Sequence, residues 1–149
     1  MTTTAPPVLN PRVIALAHYA ARALLESVLA RHGMTFHQSV TLRVVAVGDG
    51  ATETKNLVDG VVGSLKIDAA EARSVVDELI AAGLLAPDGP SLVRITDAGR
   101  QLFETTSAET APFTARVYAG IPAEDLAVAG RVLSLITERA DAELAALKK

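Results

Sequence analysis

Apolar positions along this chain recur mostly at three- and four-residue intervals, the spacing that lines one face of a helix. Between Arg12 and Arg31 they fall at Val13, Leu16, Ala17, Ala20, Leu24, Val28 and Leu29, a wide apolar stripe. Asn10-Pro11 supplies the start, with Asn as cap and Pro in the first turn. His32-Gly33 supplies the end, Gly33 being suited to the left-handed exit of a helix. Upstream, Pro6 and Pro7 bar a helix, so Thr2 to Leu9 is expected to be a disordered or strapping arm.

Thr35 and Gln38 form the pattern of a capping box, which predicts a second helix. The run that follows, Val40, Leu42, Val44, Val45 and Val47, has the propensity of a strand. The helix is preferred because no turn separates cap from run, and Gly48-Asp49-Gly50 closes the element. Asn56 to Leu65 predicts a weaker helix, since Gly60 and Gly63 each cost about 1 kcal/mol relative to Ala. After a turn at Lys66-Ile67, Asp68 and Glu71 make a second capping box. The helix they open turns Val75, Val76, Leu79 and Ile80 inward. Asp88-Gly89 then predicts a hairpin whose return strand is Leu92 to Ile95. Thr96 caps a long helix, bent near Pro112, and Ile121-Pro122 begins the last one, with Leu126, Val128, Val132, Leu133, Ile136 and Leu144 as its stripe.

Four helices, a hairpin and two further helices predict a mainly α fold with a small β-hairpin wing. That is a winged helix-turn-helix core carrying N- and C-terminal dimerisation helices. The expectation is one domain, 1–149, with 10–33 and 97–149 as dimerisation helices and 35–96 as the winged helix-turn-helix lobe. The outer helices hold more apolar surface than so small a core can cover, which points to a symmetric homodimer.

Composition narrows the chemistry. There is no cysteine, which excludes disulfides and thiolate zinc sites, and three histidines without a close carboxylate pattern make no metal site. Asp77-Glu78 and Glu124-Asp125 are neighbours on helices and do not converge, and no phosphate loop, dinucleotide fingerprint or Ser-His-Asp order occurs. No catalytic residue and no cofactor are expected. No apolar run approaches the roughly 20 residues that span a bilayer, and the start lacks a secretory pattern, so a soluble cytoplasmic protein without a membrane partner is expected. Net charge is -3, and residues 35–100 alone carry 6 basic and 9 acidic side chains. That balance runs against the basic footprint of a duplex binder.

Three stretches resemble the MarR family of bacterial transcriptional regulators. LKIDAAEARSVVDELIAAGLL is similar to the family's turn and recognition helix, and SLVRITDAGRQLF to its return strand and the start of the next helix. AGIPAEDLAVAGRVLSLI resembles the start of the C-terminal dimerisation helix. The resemblance implies a homodimer that binds double-stranded operator DNA and responds to a small, often phenolic ligand held between dimer region and lobes. Two departures stand out: APDGPSLV makes a short wing with no Arg at its tip, and the recognition helix carries Glu71, Asp77 and Glu78. Together they predict weak or atypical DNA binding. The alternative is a MarR-like dimer that has lost conventional DNA binding and acts through a protein partner or a small ligand.

For DNA, Arg73 lies near the start of the recognition helix, where a bidentate contact to guanine is worth about 1–3 kcal/mol of discrimination. A surface ion pair to Asp77, one turn on, is its competing role. Ser74 is a candidate base or phosphate contact, and Arg94, Lys66, Lys55 and Arg43 are candidate phosphate contacts, each competing with a role as solvated surface charge. For ligand, His18, Arg22 and His37 stand at positions resembling those that line the family's cleft. His18 and Arg22 share one helix face, and the pair is suited to holding a small aromatic acid ligand by its carboxylate or to a polar interface.

Overall fold

A computed structural model describes residues 5–148. Thr2 to Thr4 of the expected arm lie outside the described residues. The elements are α1 (Pro11–Ala30), α2 (Phe36–Ala46), β1 (Thr52–Glu53), α3 (Thr54–Leu65), α4 (Ala69–Ala81), β2 (Leu85–Pro87), β3 (Leu92–Ile95), α5 (Asp97–Tyr118) and α6 (Ala123–Leu147). The fold is mainly α with a small antiparallel sheet.

Local chemistry explains most boundaries. The Asn10 side chain accepts from the Val13 amide and Pro11 occupies the first turn of α1. Thr35 and Gln38 cap α2 reciprocally, each side chain accepting the other's backbone N–H at 3.1 Å. Two of the four amides that a helix start leaves open are thereby satisfied, which holds the valine-rich run in a helix. The Asp68 side chain accepts from the Glu71 amide at 2.7 Å, starting α4. The Glu71 carboxylate does not complete a box as expected; it faces His37 on α2, 3.7 Å away. Thr96 caps α5 by accepting from the Gly99 amide, and α5 runs on through Pro112.

Two differences from the sequence reading concern β1. The sheet has three strands in the order β1-β3-β2, not a two-stranded hairpin alone, with Thr52 opposite Val93 and Glu53 opposite Leu92. Helix α3 starts directly from that strand at Thr54, two residues earlier than Asn56. A two-residue strand has no periodicity of its own; a partner some 40 residues away in sequence creates it.

The chain divides into two compact units, Met1–Phe113 and Thr114–Lys149. In the first, Leu42 and Val45 of α2, Leu57, Val58 and Val61 of α3, and Ala72, Val75, Val76 and Leu79 of α4 form one core with Leu85 and Val93 of the sheet. Leu29 and Met34 close it from the end of α1, and Leu102 and Phe103 of α5 pack against it. Burying each of the large aliphatic side chains stabilises the lobe by about 1.5–3 kcal/mol. The inward set of α4 is therefore what fixes its outward set.

Much of α1 is open: Leu16, Tyr19 and Leu24 are all exposed, while Leu25 packs against the core. In the second unit no residue of α6 is buried, and Val128, Leu133, Leu135, Ile136 and Leu144 lie open. By length and composition α1 is apolar enough to cross a membrane, with a mean hydropathy of 1.4 over its best window, although charged residues interrupt its apolar run as the sequence shows. Alanines raise that average across Arg22 and Glu26. The C-terminal half of the helix is nonetheless committed to protein, since Val28 and Leu29 are fully buried. Charged groups such as Arg22 and Glu26 would also be costly within lipid.

Candidate functional site

Helix α4 places its residues by a period of 3.6. Ala72, Val75, Val76 and Leu79 point into the core. Ala70, Arg73, Ser74, Asp77 and Ala81 fall on the opposite side and are exposed. Arg73 has no ion pair or hydrogen bond among the described residues, so the expected alternative role, a bridge to Asp77, is not formed. Asp77 sits in the middle of this outward face, likewise without an ion-pair partner among the described residues.

The other two carboxylates of α4 turn toward α2. Glu78 accepts from the Gln38 side-chain amide at 3.0 Å, and Glu71 faces His37. The acidity that the sequence spreads over the whole helix is thus divided by the fold. One carboxylate looks outward and two look sideways.

The basic candidates are scattered. Lys55 on α3 pairs with Asp59 one turn on, at 3.0 Å, and both are well exposed. Such a pair is worth a few tenths of a kcal/mol and can be broken to serve a phosphate. Lys66 adopts the left-handed conformation that ends α3, φ 59°, and its ammonium donates to the Gly63 carbonyl. Arg94 stands exposed on β3 opposite Ala86, while its neighbour Val93 is buried. Arg43 is exposed in the last turn of α2. No hydrogen bond or ion pair joins Arg43, Lys55 and Arg94 to one another or to Arg73 among the described residues.

A cleft of about 510 Å³ opens between α1, α2 and α4. From α1 it takes Arg22 and Glu26, from α2 Phe36 and His37, and from α4 Glu71, Ser74, Val75 and Glu78. The Arg22 Nε donates to Glu26 at 2.7 Å, and the guanidinium carbon lies 4.2 Å from the centre of the Phe36 ring. A cation over an aromatic face is favourable by about 0.5–1 kcal/mol at exposed sites. Of the expected ligand residues, Arg22 and His37 line the cleft. His18 does not, and touches it through Phe36, its ring edge-on at 6.3 Å.

Ser74, read from the sequence as a DNA contact, is part of the cleft wall as well as of the outward face. Sequence reasoning missed Glu26, Phe36, Glu71 and Glu78 as cleft residues. Glu26, four residues after Arg22 on one helix, was available as a signal. The α4 carboxylates were not, because their approach to α2 is a tertiary contact.

Away from the cleft, Glu109 of α5 holds the end of α1: His32 Nε2 lies 2.9 Å and Arg31 3.7 Å from its carboxylate. The hydrogen bond with His32, aided by the charges of His32 and Arg31, holds the Glu109 carboxyl below its ordinary value. Among the described residues no cluster of three or more His, Asp or Glu side chains could hold a metal ion.

No family model matches the sequence, and no curated protein matches it. Solved structures do match the fold. CouR from Rhodococcus jostii RHA1, in its complex with p-coumaroyl-CoA, is 19% identical with a TM-score of 0.71, covering 84% of this chain and 88% of its own. A MarR-family transcriptional regulator from Rhodococcus sp. RHA1 is 19% identical, TM-score 0.68, covering 84% and 89%. BpsR of Bordetella bronchiseptica, whose DNA binding is regulated by 6-hydroxynicotinic acid, is 22% identical, TM-score 0.67, covering 89% and 98%. With the helix order, the capped α4 and the three-stranded sheet, these likenesses establish that the chain has the fold of the MarR-family transcriptional regulators.

Proposed function

We propose that this chain is a MarR-family regulator: a homodimer that binds operator DNA through α4 and responds to a small molecule in the α1–α2–α4 cleft. In this reading residues 35–96 form the DNA-binding lobe, and 10–33 with 97–149 form the dimer region. The bare apolar faces of α1 and of α6, each in its own unit, support a partner that covers them. Such a regulator works in the cytoplasm, where its operator lies, and needs no catalytic group.

One observation carries the reading. A helix anchored by Ala72, Val75, Val76 and Leu79 presents Arg73, unpaired among the described residues, on its opposite face. In a winged helix-turn-helix that face enters the major groove, and an Arg there suits the O6 and N7 of guanine. Arg94, Arg43, Lys55 and Lys66 serve the phosphates, and Ser74 a base edge or phosphate. With so few basic groups per lobe and Asp77 among them, binding is weak and steeply salt-dependent.

The small aromatic acid expected from the His18–Arg22 face would need Arg22 for its carboxylate, with His37 beside it. Ligand and DNA then bias one another reciprocally, because the cleft and the recognition face share α4.

The test is a gel shift or anisotropy titration with the chain's own upstream DNA at low and moderate salt. Arg73→Ala should abolish sequence-selective binding while leaving the fold intact by circular dichroism. Unchanged operator affinity would refute the role of Arg73. The outward position of Asp77 favours a second reading, a dimer that has given up DNA for a protein partner or ligand alone. An absence of any shift by the unaltered protein, even at low salt, is the result that selects it.

A further inference from the structure

The cleft has a charge opposite to the one an acid ligand needs. Three carboxylates, Glu26, Glu71 and Glu78, stand on its walls against one guanidinium, Arg22. That guanidinium is already engaged, by Glu26 at 2.7 Å and by the face of Phe36 at 4.2 Å. An incoming carboxylate would have to displace Glu26 and would then lie beside it, two like charges in one site.

The α4 wall has the converse property. Glu78 is held by a neutral amide, that of Gln38, and Glu71 by a histidine 3.7 Å away that is charged only when protonated. Neither negative charge is cancelled by a fixed cation. The two residues are seven apart on one helix, so they stand one above the other with about 10 Å of rise between them. Ser74 lies between them and Val75 beside them. Across the cleft, Phe36 already binds a planar cation, Arg22, on its ring face. An aromatic ring and a pair of unneutralised carboxylates lining one cleft make a recognition surface for organic cations.

We propose that the cleft selects a cationic ligand, a protonated amine or quaternary ammonium on an apolar or aromatic body, in preference to an aromatic acid. The proposal rests on the ligand-responsive reading above and names the ligand's charge. Glu71 and Glu78 supply the negative field that attracts the cationic head, which either carboxylate can pair, and Phe36 with Val75 takes the apolar body. A cation bound there contacts α4 directly, and so acts on the helix that presents Arg73.

Binding to the full chain, without DNA, tests this by calorimetric titration with three probes of one shape: 2-phenylethylammonium, 2-phenylethanol and phenylacetate. The ammonium probe should bind about tenfold or more tightly than either of the others, and its affinity should fall as salt is raised. Glu71→Gln with Glu78→Gln keeps size and hydrogen bonding and should reduce ammonium binding to the level of the alcohol. Phenylacetate binding equal to or tighter than the ammonium overturns the charge assignment while leaving a ligand-responsive regulator. Ammonium binding untouched by the double substitution overturns the site, and failure of all three probes to bind at millimolar concentration overturns the proposal outright. The gel shift with operator DNA stands apart from all of these results.

Discussion

Gly99, in the third residue of α5, makes a sharp test of how the lobe is assembled. A Cβ built there would lie 2.1 Å from the Leu84 carbonyl oxygen and 2.9 Å from Cγ1 of Ile95. The first distance is roughly 1 Å inside the closest ordinary carbon–oxygen approach. Neither obstacle is the loose end of a flexible chain: the carbonyl belongs to the backbone just after α4 and accepts from the Thr96 amide and the Thr96 hydroxyl, both at 3.1 Å. Gly99→Ala must therefore push α5 away from the α4–β2 junction. Overpacking of this severity costs about 3 kcal/mol. Weakening the two bonds to the carbonyl adds about 1 kcal/mol, and the better helix propensity of Ala returns about 1 kcal/mol.

The net loss is about 3 kcal/mol, or about 6–12 °C in melting temperature for a chain of this size. Thermal unfolding followed by far-ultraviolet circular dichroism, at one protein concentration, measures it. The control is Gly60→Ala, a helical position with nothing within 4 Å of the added carbon, which should stabilise by up to about 1 kcal/mol. Gly99→Ala melting at or above the unaltered protein would show that the junction gives way freely and that the argument is wrong.

Three other outcomes are expected. Thr35→Ala removes half of the α2 capping box and should cost about 1 kcal/mol, read by urea denaturation. Because the Glu109 carboxyl titrates below its reference value of 4.5, its contribution to stability is present above that pH and lost as pH falls through the lowered folded value. Glu109→Gln should accordingly flatten the acid limb of the stability–pH profile, and an unchanged limb would exclude the His32–Glu109 contact as its source. Asp77→Asn removes the outward carboxylate of α4 and should raise affinity for DNA of any sequence severalfold, while leaving the salt slope unchanged in an anisotropy titration; a fall in affinity for one sequence only would instead make Asp77 a reader of that sequence.

The elements that were legible in the chain are those whose cause is local. Thr35 with Gln38 outweighed the strand propensity of the valines after them, since a capping box acts within one turn. Asn10-Pro11, Asp68, Thr96 and the glycine at 33, φ +67°, likewise marked real boundaries. The inward set of α4 followed from periodicity alone, with Val75, Val76 and Leu79 all buried, and so did the outward position of Arg73. Periodicity could not find β1, which exists only because Val93 and Leu92 lie beside it.

The candidate site divides along the same line. Which residues are cationic, acidic or apolar, and which side of each helix they share, is written in the sequence, because helix geometry converts spacing into a face. Which face meets which is decided by packing. Docking of α2 on α4 sends Glu71 and Glu78 into the cleft and leaves only Asp77 facing outward, so a helix that looks uniformly acidic in one dimension has two different sides in three. Packing of α1 on α2, together with the pair one turn on in α1, turns Arg22 from a free anchor for an acid into a guanidinium held between Glu26 and Phe36. Spacing along a chain fixes direction around a helix axis, but the charge a ligand meets is the sum over neighbours that only the fold brings within a few ångströms.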